Sequence, residues 1–89
     1  MPRQTVIITN KLGLHLRASS KLSQLASCFA CEVWLERNTR RINAKSVLGV
    51  TMLAAGLGSE VTIETSGEQE DAAMQSLMDL FHDKFGEED

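Results

Sequence analysis

Hydrophobic and polar residues alternate along four short stretches of this chain and recur at helical spacing in between. Those two periods lay out a fold before any chemistry is considered. Gln4 to Thr9 sets Val6 and Ile8 against Thr5 and Thr9, the pattern of a half-buried strand. After His15, the residues Ala18, Leu22, Leu25, Ala26 and Phe29 fall on one stripe of an amphipathic helix of about three turns. Ser19, Ser20, Ser23 and Ser27 lie off that stripe and read as small polar surface positions. Glu32 to Arg37 alternates again, with Val33 and Leu35 inward and Trp34 on the polar side among long charged residues. Asn38-Thr39-Arg40 connects it to a return strand, Arg41 to Ala44.

Ser46 directly precedes an apolar run, Val47 to Ala55, and Ser is a good helix N-cap. A short helix is expected there, ended by Gly56-Leu57-Gly58. The run is apolar nearly all round, and a short helix on a small domain cannot bury every side. Part of Val47, Leu48, Val50, Thr51 and Met52 should therefore face solvent as a contact surface. Glu60 to Thr65 is the cleanest alternation. Ser66-Gly67-Glu68-Gln69 then offers a capping box, Ser66 answered by Gln69. The helix after it carries Ala73, Met74, Leu77, Met78, Phe81 and Phe85 on one face, His82 on the surface near its end, and an acidic tail, Glu87-Glu88-Asp89, expected to fray. The order is β-α-β-β-α-β-α. Four strands apolar on one face argue for an α+β fold, an antiparallel sheet covered by helices on one side and wet on the other.

Composition narrows the class. At 89 residues the chain is read as one domain, 1–89, with no linker, repeat or low-complexity segment. Its longest apolar stretch, Val47 to Leu57, is far short of the roughly 20 residues of a membrane span. No signal-peptide hydrophobic region follows Met1, so a cytoplasmic protein is expected. The net charge of −3 is unevenly spread: eight of the nine Lys/Arg residues, but only two of the twelve Asp/Glu, occur up to Lys45. A basic surface facing acidic partners is one reading, and a merely acidic last helix is the other. Cys28 and Cys31 form a C-x-x-C at the predicted end of a helix, the wrong pole for a reactive thiolate, and read as two small buried residues. Four aromatics and a pI of 5.3 offer little to nucleic acid. No P-loop, metal set or cofactor motif is present, so no cofactor is expected.

The chemistry concentrates in Asn10-Lys11-Leu12-Gly13-Leu14-His15-Leu16-Arg17-Ala18-Ser19. Asn10 suits a turn, Gly13 gives backbone freedom, and His15 stands just ahead of a helix start. Helix N-termini present N–H groups without an intrahelical partner, and Arg17 adds a cation two residues on. An anion held at the imidazole is the natural ligand, and a neutral imidazole can itself bond a phosphoryl group. A solvated loop histidine is the plainer alternative on these ten residues.

Asn-x-x-Gly-Leu-His-x-Arg-Ala resembles the phosphorylation-site segment of the HPr family, the histidine phosphocarriers of the phosphoenolpyruvate-dependent phosphotransferase system, and most of all its nitrogen-related members, the NPr proteins. Lys45-Ser46 before a short apolar helix and the Ser66-Gly67 approach to an acidic last helix extend the resemblance from about residue 4 to residue 85. It implies an open-faced β-sandwich, a four-stranded antiparallel sheet with three helices on one face. It also implies a monomeric carrier, not an enzyme. His15 would be the phospho-acceptor through Nδ1, Arg17 the charge partner of the phosphate, and Ser46 a regulatory site for a serine kinase of the HPr kinase/phosphorylase type. An enzyme I-type donor and an enzyme IIA-type acceptor would dock around Leu16, Ser20, Val47, Leu48, Thr51 and Met52. Ala18 departs from the family's common Pro, which loosens the helix start without touching the chemistry. A non-catalytic regulatory or binding module of the same fold is the alternative.

Overall fold

Each alternating stretch becomes a strand of one sheet in the computed structural model, which describes residues 1–87. The strands are β1 (Arg3–Ile7), β2 (Glu32–Arg37), β3 (Arg40–Asn43) and β4 (Glu60–Ser66). All pairs are antiparallel and the spatial order is β1-β4-β2-β3. The helices are α1 (Leu16–Ser27), α2 (Val47–Met52) and α3 (Glu70–His82), followed by a 3-10 turn at Lys84–Gly86. The expected α+β open-faced sandwich is therefore the observed one.

The register explains why one face is wet. Arg3, Thr5, Trp34, Glu36, Arg41, Thr62 and Glu64 share one face: Arg3 lies opposite Glu64, Thr5 opposite Thr62, Trp34 opposite Glu64, and Glu36 opposite Arg41. Val6, Val33, Leu35, Val61 and Ile63 point the other way and are buried under the helices with Leu22, Ala26, Leu77 and Phe81. Each fully buried Leu or Ile there contributes about 1.5–3 kcal/mol of transfer free energy. Trp34 is half-buried beneath the Arg41 guanidinium, 4.9 Å from the ring centroid, so it is tucked among charged side chains as expected.

Five expectations need correction. Ser19 and Ser23 are buried, because α1 packs against both α2 and α3 and so has two covered sides rather than one stripe. The apolar run from Val47 gives only a six-residue helix, and Ala54 leaves it at φ 54. The capping box at Ser66 does not form. Gln69 is itself the N-cap of α3, in the left-handed region, and its side chain accepts instead from the Ala30 N–H; Glu70 reaches back to the Gly67 N–H. Phe85 does not continue the α3 face: the helix ends at His82, and Lys84, Phe85 and Gly86 all turn at positive φ, which carries Phe85 back into the core. Of the cysteines, Cys31 is buried as expected but Cys28, the C-cap of α1, is exposed.

Candidate functional site

The loop between β1 and α1 is held by contacts that leave little choice of residue. Gly13 sits at φ +66, and a Cβ there would lie 2.4 Å from the Ala55 carbonyl oxygen and 2.7 Å from the Gly56 Cα. Only glycine allows that approach. The Leu14 N–H then donates to the same Ala55 carbonyl at 2.9 Å, and the Leu14 side chain is buried. Asn10 is fully buried and its Nδ2 donates to the Gly13 carbonyl at 2.8 Å, closing the turn from inside.

His15 is the N-cap of α1, with an extended backbone at φ −73 and ψ 179. Its carbonyl accepts the first helical bond, from the Ser19 N–H at 2.8 Å, and Nδ1 accepts from the Arg17 N–H at 3.2 Å. Ser19 donates its hydroxyl to the Leu14 carbonyl at 3.1 Å, so the residue before the histidine is fixed to the helix as well. The imidazole thus occupies the place normally taken by a Ser or Asp oxygen, with a ring-nitrogen lone pair aimed at helix donors. No acidic residue sits in the first turn of α1. An arriving anion meets no carboxylate there on the helix itself.

The other ring nitrogen has a partner that local spacing does not reach. Nε2 faces the Glu87 carboxylate across 72 residues of chain, in an ion pair or hydrogen bond according to ring protonation. The second carboxylate oxygen accepts from Asn10 Nδ2 at 3.1 Å, and Lys21 Nζ donates to the Phe85 carbonyl at 2.7 Å. The His15 hydrogen bond, and to a smaller degree that from Asn10, holds the Glu87 carboxyl below its usual pKa despite partial desolvation. The tail expected to fray is therefore anchored through Glu87; Glu88 and Asp89 lie outside the described residues. Sequence reasoning misses Lys21 and Glu87 and gives Asn10 only a turn role, not its contact with Glu87. The one usable signal was Phe85-Gly86, an apolar residue and a turn former beyond a helix end.

Leu12, His15, Leu16, Arg17, Ser20 and Glu87 line one shallow depression, which brings three of the predicted partner and phosphate residues to the histidine. Leu12 and Leu16 are largely exposed at 68% and 67%, so the rim is apolar. Arg17 is exposed and in no salt bridge among the described residues. The predicted residues of α2 lie on the helix packed beside α1. Leu48 and Met52 are exposed there, Val47 and Thr51 are half-buried, and Val50 belongs to the core. Ser46 caps α2 as expected, its Oγ accepting from the Gly49 N–H at 3.0 Å.

A family profile described as "PTS HPr component phosphorylation site" matches residues 2–83. A phosphocarrier protein HPr of Cupriavidus necator is 55% identical over 87 residues, covering 98% of this chain and 97% of that protein. The phosphocarrier protein HPr of Neisseria meningitidis serogroup A is 49% identical over 87 residues, with 98% of each covered. The chain belongs to the HPr family. Among solved structures, HPr of Thermoanaerobacter tengcongensis superposes with a TM-score of 0.95 at 39% identity, covering 99% of both chains. Membership in this family makes the protein a phosphocarrier of the phosphotransferase system rather than a catalytic enzyme. The fold and the order of elements around His15 are those of HPr proteins, and no described helix is long and apolar enough to cross a membrane.

Proposed function

We propose that His15 is the phospho-acceptor, with Nδ1 as the attacking atom and Arg17 as the charge partner of the phosphate. The observation that carries this reading is the Arg17 N–H directed at Nδ1 at 3.2 Å. A nitrogen that accepts a hydrogen bond in the resting ring has its lone pair available, and the donors around it are those a phosphoryl oxygen would use. In the transfer the Nδ1 lone pair bonds phosphorus in line as the bond from phosphorus to the donor's imidazole nitrogen breaks. That electron pair stays on the donor ring. The helix donors and the Arg17 guanidinium take up a charge of roughly −1.5 to −2 on the phosphoryl group. A P–N bond is exchanged for a P–N bond, so the step is near thermoneutral and runs equally well onward to an acceptor.

The partners we infer are an enzyme I-type donor and an enzyme IIA-type acceptor in the cytoplasm, both docking on a monomer around Leu16, Ser20, Val47, Leu48, Thr51 and Met52. Exposed Leu12, Leu16, Leu48 and Met52 support an apolar contact, and one surface serving two partners in turn implies an interface at or below about 1,200 Å². Ser46 is the proposed regulatory position. Its hydroxyl is on an exposed residue beside Leu48, and a phosphate there would put a dianion next to the docking surface. Ser46→Asp should slow transfer to His15, and an unchanged rate would remove Ser46 from the account. The experiment for the main reading is intact mass after incubation with phosphoenolpyruvate and a matched enzyme I. Wild type should gain one acid-labile phosphate and His15→Ala none. Equal labelling of both proteins would defeat it.

A further inference from the structure

The α2 helix, which carries Leu48 and Met52, is six residues long and has no basic residue in its last turn. A helix end leaves carbonyls without an intrahelical donor, and positive charge there is favourable. The chain leaves α2 at Ala54, φ 54, before another turn supplies donors to the Met52 and Leu53 carbonyls. Those donors come from a different element. Arg40 Nη1 donates to the Met52 carbonyl at 2.6 Å, and Arg37 Nη1 to the Leu53 carbonyl at 3.2 Å. Arg37 and Arg40 are the directly opposed pair that closes the β2–β3 hairpin, on the helix side of the sheet with Val33 and Leu35. Like charges opposed across two strands repel each other. Arg3 and Arg41 on the other face are paired with acids, but Arg37 and Arg40 are in no salt bridge among the described residues. Both guanidiniums are instead set against the negative end of α2.

We propose that Arg40, with Arg37 beside it, is a positioning residue for partner docking, holding the last turn of α2 so that Met52 is presented in one place. The inference rests on the reading of α2 as part of the docking surface. Val50 and Leu53 are buried and seat the inner side of α2 on the core, so the helix keeps its site without the arginines. They do not hold the outer side of the last turn. Met52 is 54% exposed, and its own carbonyl is the atom that Arg40 grips. An exposed side chain adds more to association when its backbone is already ordered, because ordering it on contact costs free energy. The other end of α2 is secured separately, by the Ser46 cap and by Lys45, whose Nζ donates to the Phe29 carbonyl beyond α1. His15 makes its contacts with Arg17, Ser19 and Glu87, none of which belongs to this arrangement. The arginines therefore bear on the encounter with a partner and not on the phosphoryl step.

The test pairs amide exchange with steady-state transfer from enzyme I phosphorylated by phosphoenolpyruvate. The Leu53 and Ala54 amides close the last turn on the Val50 and Thr51 carbonyls and report its order. Arg40→Ala should speed their exchange about fivefold to tenfold, the scale of one lost hydrogen bond from a charged group, while β4 amides stay as in wild type. The KM for the carrier should rise by a similar factor and kcat should stay within about twofold. Replacing Arg37 as well should enlarge both effects. Arg40→Lys, which keeps a cationic donor for the Met52 carbonyl, should return both close to wild type. A raised KM with wild-type exchange at Leu53 and Ala54 overturns the proposal, because Arg40 would then touch the partner directly. Faster exchange with an unchanged KM, or a fall in kcat alone, overturns it too. Leu48→Ala and Met52→Ala leave the arginines in place and test the docking surface itself. An unchanged KM in both removes α2 from that surface, a failure distinct from that of the arginines, which the exchange measurement reads by itself.

Discussion

The wet face of the sheet and the His15 end of α1 both present arginine to solvent, yet they handle charge in opposite ways. On the sheet, Arg3 bonds Glu64 and Glu36 at 2.7 and 2.8 Å, and Arg41 bonds Glu64 at 2.9 Å. The Arg41 bond, followed by that from Arg3, holds the Glu64 carboxyl below its usual pKa, and the charges there satisfy one another. At the His15 end, Arg17 has no acidic partner among the described residues, the first turn of α1 carries no acid, and the one carboxylate present is tied to the far side of the ring. A closed ion-pair network has nothing left for a ligand. An unpaired cation beside free helix donors does, and that difference supports the His15 end as the proposed site.

Substitutions sharpen the contrast in order of expected effect. His15→Ala should abolish phosphoryl uptake while costing about 1 kcal/mol or less of stability, the usual scale of an N-cap, by denaturant titration. Gly13→Ala should do the reverse in kind. A Cβ jammed against the Ala55 carbonyl and a strained φ should cost about 2–4 kcal/mol, and transfer should suffer only through the displaced loop. Arg17→Ala should slow transfer by about tenfold to a hundredfold with thermal stability unchanged, as befits lost charge stabilisation of a phosphoryl group. Glu64→Gln, on the other face, should leave transfer unaltered and lower the melting temperature slightly at low salt, with the difference shrinking as salt is added.

The pH dependence follows the same division. Glu87 and Glu64 both have folded pKa values below the ordinary 4.5, so each contributes stability that is complete above that pH and lost as pH falls through the lowered value. The groups facing Glu87 are His15, Asn10 and Lys21, and none of them becomes an acid. Acidification below about 4.5 should therefore release the Glu87 tail before the core opens, seen as faster amide exchange at Phe85 and Gly86 than in β2 or β4. Simultaneous loss of protection everywhere would show that the tail is not a separate unit.

The period-two stretches made the sheet legible, since a buried face on each strand leaves only one register that hides Val6, Val33, Leu35, Val61 and Ile63 together. The helix starts at His15 and Ser46 were legible because such starts are local events, set by a cap and the donors within four residues of it. What escaped was non-local or depended on packing. Ser19 and Ser23 look like surface serines until α2 and α3 are both laid against α1. Phe85 reaches the core only through left-handed turns at Lys84 and Phe85, which no propensity favours in residues with a Cβ. Glu87 stands 72 residues from His15, and no spacing rule connects a terminal acid to a helix start at the other end of the chain.

The proposed transfer depends on one atom, Nδ1 of His15. The most direct test is nitrogen–phosphorus correlated NMR on the nitrogen-labelled protein, phosphorylated by phosphoenolpyruvate and enzyme I. A one-bond coupling from phosphorus to the His15 nitrogen that accepts the Arg17 N–H in the resting ring is the predicted result. Coupling to Nε2, or phosphate on any other residue, would contradict it, because the helix donors would then face the wrong side of the ring.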